Sequence, residues 1–311
     1  MNEPNEHRTV VHGPLGTVVD LRVREANSKG EQVKSWVLHE LARLESIFSV
    51  YDATSELCRW RRGEAVEASP EFCDLMELVL HWQERTNGLF NPCLEALTHA
   101  WREAEHTGVP PDACRLATIA AEIQSPRFQF VHGTPTPIAD CSTLSLNAIA
   151  KGFIVDQTAE AATQRFHLGS ITLNIGGDIR HIGTNHVRIG VENPHRPYDN
   201  EPALTTIELS DGAFATSGSA RRGFTIDGRR YSHVLDPRTG QPAVGIGSVS
   251  VIAPLATTAD VLATAAAVLG PHDAISWLAD IDDVYGFVVS SDGDRFATPS
   301  WIDRFGSITP A

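Results

Sequence analysis

Cysteine chemistry is sparse in this chain. Its five cysteines, at positions 58, 73, 93, 114 and 141, include no CxxC pair. Because their number is odd and their spacings are wide, they predict reduced thiols and exclude a disulfide framework. The histidines at positions 181, 186 and 195 also lack the spacing of metal ligands, so a zinc cluster is not expected.

Long hydrophobic runs and an excess of basic charge are missing too. The apolar stretches are too short to span a bilayer, and the start, MNEPNEHRTVVHG, lacks the apolar segment of an export signal. The formal net charge is −14, from 25 Lys and Arg against 39 Asp and Glu. This charge argues against nucleic acid or an anionic membrane as partner, because both attract clustered cations. We therefore expect a cytoplasmic protein with neither partner.

The remaining composition is that of an ordinary globular protein. Apolar residues make up 42% of the chain and charged residues 21%, which is typical of globular domains. The 311 residues are enough to bury a stable core, and no internal repeat or low-complexity tract interrupts them. We expect one domain over residues 1–311, either undivided or with a helical lobe to about residue 130 and a strand-rich lobe over 130–311.

Helical patterns are clearest in the first half of the chain. Residues 31–48 repeat apolar side chains along one helix face, which is interpreted as core. A second helix is predicted with Ser69 as its cap and Pro70 at its first position, and it ends before Gly88. A third helix is expected over 111–123.

Short strands dominate after residue 170. Strands are predicted at 171–175, 187–191, 204–209, 213–216, 230–235, 247–252 and 284–290, with helices at 257–269 and 272–280. This partial segregation of strands and helices favours an α+β fold over a doubly wound sheet. The proline-rich run NPHRPYDNEP at 193–202 predicts a surface loop.

One candidate catalytic residue is His233, within YSHVLDPRTG at 231–240. The alternating start predicts a strand through Leu235, and Asp236, Pro237 and Gly240 predict a turn after it. Loops at strand ends often carry catalytic groups, and a histidine with a pKa near 6.5 is suited to accept a proton at neutral pH. The structural alternative is a histidine that caps the turn.

A candidate metal site follows the apolar run that ends at Pro254. Either Thr257 or Thr258 is the expected N-cap of a helix, which places Asp260 in the first turn. Thr264 lies four residues later on the same face. Oxygen ligands beside a helix N-terminus suit Mg²⁺ shared with a phosphate. The alternative is that the Asp interacts favourably with the helix dipole and that the Thr hydroxyl donates a hydrogen bond within its own helix.

Two further segments carry polar or glycine-rich signals. Gly176 and Gly177 join two strand-like runs, either to admit a ligand close to the backbone or simply as a tight hairpin. An upstream helix is expected with Asn147 as its cap and Gly169 as its stop. Lys151 in its first turns opposes the helix dipole, which makes sense beside an anion, although a solvated lysine is the alternative.

These segments together resemble the ApbE-type FAD:protein FMN transferases, also called flavin-trafficking proteins. The similar blocks are LNAIAKGFIVD, LNIGGDIRHIG, ATSGSARRGF with YSHVLDPRTGQP, and SVSVIAP with ADVLAT. Upstream, LGTVVDLRV, FSVYDATSEL and TNGLFNP agree as well. The resemblance covers roughly residues 14–290, in the order and with the spacing of the family.

The resemblance implies an ApbE-like, T-fold-like arrangement of mixed sheets with flanking helices and FAD in a central cleft. It implies that the pyrophosphate of FAD is split, that FMN is joined through its phosphate to a Thr or Ser of an acceptor flavoprotein, and that AMP leaves. Asp260, Thr264 and the Ala148 carbonyl would hold Mg²⁺, and His233 would deprotonate the acceptor hydroxyl. The implied FAD contacts are Leu15, Tyr51, Leu89, Phe90, Asn91, Ser145, Lys151, Gly176 and Gly177.

Four positions depart from the family pattern. Ser145, Asn91 and Ser219 stand where the family usually has Asp, and Arg61 stands near a usual Asn. Asp260, Thr264 and His233 are unaffected. Three activities therefore remain open: transfer of FMN, Mg²⁺-dependent hydrolysis of FAD, and FAD binding or carriage without turnover. The sequence names neither the acceptor nor the oligomeric state.

Overall fold

A computed structural model describes residues 5–25, 29–196, 202–218 and 223–306 of the chain. Ser219 and part of the proline-rich run at 193–202 lie outside the described residues. Within these ranges the strands are β1 (Asn5–His12), β2 (Val18–Glu25), β3 (Phe128–Val131), β4 (Thr134–Pro137), β5 (Ser170–Ile175), β6 (Asp178–Gly183), β7 (Val187–Val191), β8 (Thr205–Leu209), β9 (Gly212–Gly218), β10 (Gly223–Ile226), β11 (Arg229–Ser232), β12 (Ile246–Ala253), β13 (Tyr285–Ser290) and β14 (Arg295–Ala297).

The helices lie before, between and after these strands. They are α1 (Gly30–Phe48), α2 (Glu56–Arg61), α3 (Pro70–Arg85), α4 (Glu95–Thr107), α5 (Ala113–Ile123), α6 (Ala150–Phe166), α7 (Ala256–Ala266), α8 (Pro271–Ala279) and α9 (Pro299–Phe305), with one 3-10 turn at Pro14–Gly16. No helix in the described part of the chain is long and apolar enough to cross a bilayer.

One large antiparallel sheet organises the molecule. Its eight strands lie in the order β1-β2-β5-β6-β9-β12-β13-β14, and the remaining strands form the hairpins β3–β4, β7–β8 and β10–β11. Helices α1, α6, α7 and α8 pack on one face of this sheet, where they enclose the main core. The β7–β8 hairpin and α9 bury a second, smaller core against the other face. The predicted α+β class is confirmed, and the division into lobes stays a prediction.

Local sequence signals explain the best-predicted elements. In α1 the buried side chains recur every three or four residues, which turns one apolar stripe toward the core. Helix α3 begins at Pro70, and the hydroxyl of Ser69 accepts a hydrogen bond from the Phe72 amide, as the capping pattern predicts. The strand predictions at 187–191 and 284–290 agree with β7 and β13 to within one residue.

Several predicted element boundaries are wrong. The strand expected through Leu235 ends at Ser232, because the Ser232 hydroxyl accepts the Val234 amide proton and bends the chain. Asn147 caps nothing, since α6 begins at Ala150 without a side-chain cap. The same helix ends at Phe166, before Gly169, and His167 follows it with a φ of 53°.

Helix α7 also begins earlier than predicted. Its first residue is Ala256, and Leu255 occupies the N-cap position without a side-chain hydrogen bond. Thr257 therefore lies inside the first turn, and Asp260 lies in the second turn. Helices α2 and α4 and the β3–β4 hairpin had no counterpart among the predicted elements.

Candidate functional site

The N-terminal turns of α6 and α7 touch each other beside the β5–β6 turn. Gly152 permits this approach, because a Cβ atom at that position would lie 2.5 Å from the Ala256 carbonyl oxygen and 2.8 Å from Thr257 Cα. Any larger side chain would push the two helices apart. Lys151, in the first turn of α6, and Asp260, in the second turn of α7, are thus carried on elements held in direct contact.

Asp156, one helical turn after Gly152, ties the same two helices together. Its carboxylate accepts hydrogen bonds from the amides of Ala256 and Thr257 at 2.8 Å each and from the Thr257 hydroxyl at 2.7 Å. The carboxylate therefore supplies the cap that α7 lacks in its own sequence. Burial raises the pKa of Asp156, and these donors with Arg180 offset part of that shift.

The chemical centre of the site is a buried pair of carboxyl groups beside a lysine. Asp178, the first residue of β6, lies with its Oδ2 atom 3.1 Å from Nζ of Lys151. The carboxyls of Asp178 and Asp260 are close enough to shift each other's pKa. If one of them holds a proton, it can donate that proton to the other. Two acids and one lysine leave a surplus negative charge when both acids are ionised.

Burial governs the protonation of this pair. It raises the pKa of Asp178 well above its ordinary value, and the neighbouring Asp260 raises it further, whereas Lys151 acts in the opposite direction. Burial also raises the pKa of Asp260, although Lys151 and the hydrogen bonds from Asp178 and the Gly152 amide oppose that effect. A cation placed here would favour ionisation of both carboxyls, because it supplies the positive charge that the pair lacks.

Several oxygen atoms on or next to α6 and α7 have unused bonding capacity. Oδ2 of Asp260 is buried and accepts no hydrogen bond from the described residues. Within the same ranges, the Thr264 hydroxyl does not bond back into its helix, unlike Thr163, whose hydroxyl donates to Ala159. The Ala148 carbonyl, four residues before Gly152, likewise receives no backbone hydrogen bond there.

This donor set fits a hard cation better than a zinc ion. The described part of the chain holds no group of three or more His, Cys, Asp or Glu side chains placed to bind a metal. Carboxylate, hydroxyl and carbonyl oxygens are the ligands of Mg²⁺, which commonly binds one or two carboxylates and completes its shell with water and phosphate. All five cysteines are free thiols, as predicted.

A second group of predicted residues meets at the β5–β6 turn. Gly176 and Gly177 have φ angles of 57° and 102°, which a two-residue hairpin of this kind requires. The Gly176 amide donates to the Val18 carbonyl at 3.0 Å. Leu15 lies in the adjoining turn with a φ of 55°, and its amide donates to the Glu45 carboxylate. The structure therefore brings Leu15 and the glycine pair together.

A third group joins the 89–91 segment to Ser145, whose amide donates to the Pro92 carbonyl at 2.7 Å. Leu89 and Phe90 are buried in the main core. The Asn91 side chain donates to the Ile123 carbonyl and accepts from the Cys93 amide, both at 2.9 Å. Its polar atoms are thus engaged within the protein, and an aspartate at 91 would lack the donor for Ile123.

His233 lies just after β11, on a loop that is anchored at several points. The Gly240 carbonyl accepts from the Trp101 indole, and the Pro237 carbonyl accepts from the Gln124 side chain, both at 2.9 Å. Asp236 closes the turn by accepting from the Gly240 amide at 2.7 Å through its carbonyl. Helices α4 and α5 therefore hold the loop that presents this histidine.

Tyr51, a predicted FAD contact, and Arg61, which departs from the family pattern, lie apart from these groups. Tyr51 is 90% exposed, so its ring packs against little of the protein. Arg61 ends α2 in a half-buried position. Ser219 lies outside the described ranges.

Sequence reasoning did not single out Asp178 or Asp156. Both stood within the family-like blocks, and each carried a signal. Asp178 directly follows the glycine pair, on the strand face that turns toward the helices. Asp156 directly follows the apolar run GFIV, which begins at Gly152. An acid at a buried helix position needs a partner.

Known proteins resemble this chain over most of its length. The model of the ApbE family matches residues 15–288. A protein named FAD:protein FMN transferase from Treponema pallidum (strain Nichols) is 33% identical over 255 residues, which cover 74% of this chain and 68% of that protein. A protein of the same name from Rhodobacter capsulatus is 30% identical over 256 residues, which cover 79% of this chain and 47% of that protein.

The fold agrees with a solved relative. The crystal structure of the ApbE protein from Thermotoga maritima superposes with a TM-score of 0.83 at 26% identity, and the match covers 97% of this chain and 99% of that one. Its likeness extends across the sheet and the helices that carry Lys151, Asp178 and Asp260. With a family model spanning residues 15–288 and a relative one-third identical in sequence, the chain belongs to the ApbE family.

Proposed function

We propose that this chain is a Mg²⁺-dependent FAD:protein FMN transferase. It splits the pyrophosphate of FAD, joins FMN through its phosphate to a Thr or Ser hydroxyl of an acceptor flavoprotein, and releases AMP. The observation that carries the proposal is the buried centre of Lys151, Asp178 and Asp260, in a family whose curated relatives bear that name.

Asp260, Thr264 and the Ala148 carbonyl are the proposed ligands of Mg²⁺. When bound, the ion neutralises charge that develops on the pyrophosphate oxygens. Asp178 holds Lys151 at the start of α6, where its ammonium lies 3.1 Å from the carboxylate. Binding of a cation would favour ionisation of both acids, so that Lys151 faces two carboxylates.

The two remaining groups would line the FAD pocket. The glycine pair lets the substrate approach the backbone, because neither residue carries a Cβ. Tyr51 offers an exposed aromatic ring for stacking. Asn91 would contribute through its backbone, because its side-chain atoms are already bonded. The proposed FAD contacts are Leu15, Tyr51, Leu89, Phe90, Asn91, Ser145, Lys151, Gly176 and Gly177.

His233 is the proposed general base for the acceptor hydroxyl. A neutral imidazole accepts the hydroxyl proton as the oxygen attacks the phosphorus atom that FMN retains, and AMP departs with the other phosphate. The loop that carries His233 is fixed by Trp101 and Gln124, and such rigidity keeps the base in one position.

The test combines two variants with two readouts. Purified protein is incubated with FAD and Mg²⁺, with and without a flavoprotein domain that carries a Thr acceptor, and both AMP and covalent flavin are measured. Asp260→Ala should abolish Mg²⁺-dependent AMP release. His233→Ala should keep FAD binding and lower covalent transfer by about a hundredfold or more, the usual scale for a general base.

Exposed residues of the same type provide the matched controls. Asp273→Ala on α8 and His106→Ala on α4 should leave both readouts unchanged, since both side chains are exposed. AMP release at the parent rate by Asp260→Ala would refute the metal assignment. AMP without covalent flavin from the parent protein would identify a FAD pyrophosphatase, and bound FAD with neither product would identify a carrier.

A further inference from the structure

A small cavity lies on the sheet face opposite α1 and α6, at the far end of β5 and β6 from the glycine pair. Strand alternation turns Leu21 and Val23 into the core and leaves Arg22 and Arg24 on the opposite face. Arg22 pairs in register with Thr172, and Arg24 with Ser170. These side chains and residues 185–188 line a cavity of about 220 Å³.

A buried histidine holds the wall of this cavity in place. His181 is fully buried, and its Nε2 atom lies 2.9 Å from the Asn185 carbonyl oxygen. Because a carbonyl oxygen only accepts, Nε2 carries the proton and Nδ1 accepts from the Thr172 hydroxyl at 2.8 Å. The 185–188 segment is therefore bonded through His181 to the floor of the cavity, so the site is preformed.

The lining is cationic in a strongly acidic chain. Arg22, Arg24 and Arg188 contribute three positive charges, and Glu6 is the one carboxylate among the described lining residues, against a net charge of −14 for the whole chain. Glu6 accepts from two nitrogens of Arg24, at 2.9 and 3.2 Å. Asp20 accepts from one nitrogen of Arg22, at 3.1 Å.

Unused donors remain after these bonds are formed. A guanidinium has five N–H groups, and Arg22 gives only one nitrogen to its carboxylate partner. The side chain of Arg188 forms no ion pair or hydrogen bond with the residues that the structure describes. The lining therefore combines the unused N–H groups of Arg22 and Arg188 with the hydroxyl of Ser170, which is a donor set suited to a tetrahedral oxyanion. The Thr172 hydroxyl already donates to His181 and is not part of this set.

We propose that this cavity is a binding site for a small phosphate-class oxyanion, separate from the centre at α6 and α7. Its volume lies below the roughly 300–1,000 Å³ of pockets for larger organic ligands, so a free phosphate or a short phosphate monoester fits the space. Ser170 and Thr172 of the lining lie six and four residues from Gly176 along β5, which is roughly 20 and 14 Å at about 3.4 Å per residue. Occupancy is thus independent of FAD.

The experiment is a titration of the whole chain with inorganic phosphate, against sodium chloride at constant ionic strength. Backbone amide resonances of residues 170–172 and 185–188 report binding. They should shift and saturate with phosphate and stay unchanged with chloride, and saturating FAD with Mg²⁺ should not alter the phosphate affinity. Glycerol 3-phosphate, titrated in the same way, shows whether an esterified phosphate also enters.

Arg188→Gln is the decisive variant, because Arg188 is exposed and its loss should not affect folding. Phosphate affinity should fall by about tenfold or more, the scale of one charge-assisted hydrogen bond. Arg102→Gln, which removes the same charge from α4, should bind phosphate as the parent does. Equal affinity of Arg188→Gln and parent would overturn the proposal, as would loss of the shifts on FAD binding or their appearance with chloride.

Discussion

At the scale of single residues, Asp178 explains why a lysine begins α6 against the helix dipole. Lysine at a helix N-terminus is normally disfavoured, but Asp178 lies 3.1 Å away and balances it. The same carboxyl also faces Asp260. Ionisation of Asp178 is therefore costly without a nearby cation, and under the proposed function it is offset when the cation binds.

Replacement of Asp178 by Asn should separate these two effects. Asp178→Asn removes a buried acid whose neighbour has the same charge, so the metal-free protein should unfold at the same temperature as the parent or above it. Under the proposed function, Mg²⁺ affinity should fall by about tenfold or more because one charge is lost near the ion. Calorimetric melting without metal and titration with Mg²⁺ measure the two effects. A large loss of metal-free stability would instead make Asp178 a structural residue.

His181 gives the fold a dependence on pH. Burial lowers the pKa of His181 below its ordinary value, and Arg180 adds to that shift, whereas the bond to Asn185 and the charge of Asp211 oppose it. The unfolded chain, with a histidine pKa near about 6.5, therefore binds this proton more readily than the folded chain. The contribution of neutral His181 to the free energy of unfolding is fully present above the pKa of the unfolded chain. It is lost as the pH falls through the lower pKa of the folded chain.

Replacement of His181 by Gln should remove this dependence of stability on pH. Between pH 7.5 and 5.5 the free energy of unfolding should decline less steeply in the variant than in the parent, with a difference of at most about 1.4 kcal/mol per pH unit. Urea denaturation at several pH values measures both slopes. Parallel slopes would mean that His181 keeps an ordinary pKa in the folded protein.

At the scale of elements, α7 depends on a residue of α6 for its first turn. The two buried amides at its start and the Thr257 hydroxyl all donate to Asp156. Gly152, on the same face of α6, allows the two backbones to meet. The position of Asp260 and Thr264 is therefore decided by how these two helices dock.

Asp156→Ala should lower both stability and metal binding. Loss of an acceptor for three buried donors costs about 2–5 kcal/mol of unfolding free energy, and the freed start of α7 would misplace Asp260. The matched control is Thr298→Ala, which removes the cap of α9, where the Thr298 hydroxyl accepts from Trp301. Both variants should melt earlier, but only Asp156→Ala should weaken Mg²⁺ affinity when measured well below its melting temperature. Unchanged affinity would show that the cap serves stability alone.

At the scale of the whole molecule, the proposed ligands should act as stabilisers of the folded state. FAD and Mg²⁺ bind residues from the N-terminal turn at Leu15 to α7 under the proposed function, so the site exists only when the sheet and helices are assembled. A ligand present at 100 times its Kd adds about 2.7 kcal/mol to the free energy of unfolding.

Thermal unfolding with FAD should therefore depend on the metal. Addition of Mg²⁺ to the parent with FAD should raise the melting temperature, and EDTA should reverse the rise. Asp260→Ala should show no increment from Mg²⁺. An equal FAD-induced rise in EDTA and in Mg²⁺ would argue that FAD binds without the ion.

Where the physics is local, the sequence alone determined the structure. The apolar spacing of α1, the Ser69 cap and Pro70 start of α3, and the glycine pair between β5 and β6 were all predictable, because each depends on residues within a few positions of one another. The ordered blocks also identified the family and, with it, the fold. Asp260, Thr264 and Lys151 were candidates on the same basis.

Contacts between distant segments were decided only by the tertiary structure. The strand at 230–235 was predicted too long, because alternation does not show where Ser232 bends the chain. No local pattern shows that the start of α7 is capped by Asp156, 100 residues earlier. Nor does one place Asp178 against Asp260. A buried polar group takes its partner from whichever element packs beside it, and that choice exists only once the sheet and helices have assembled.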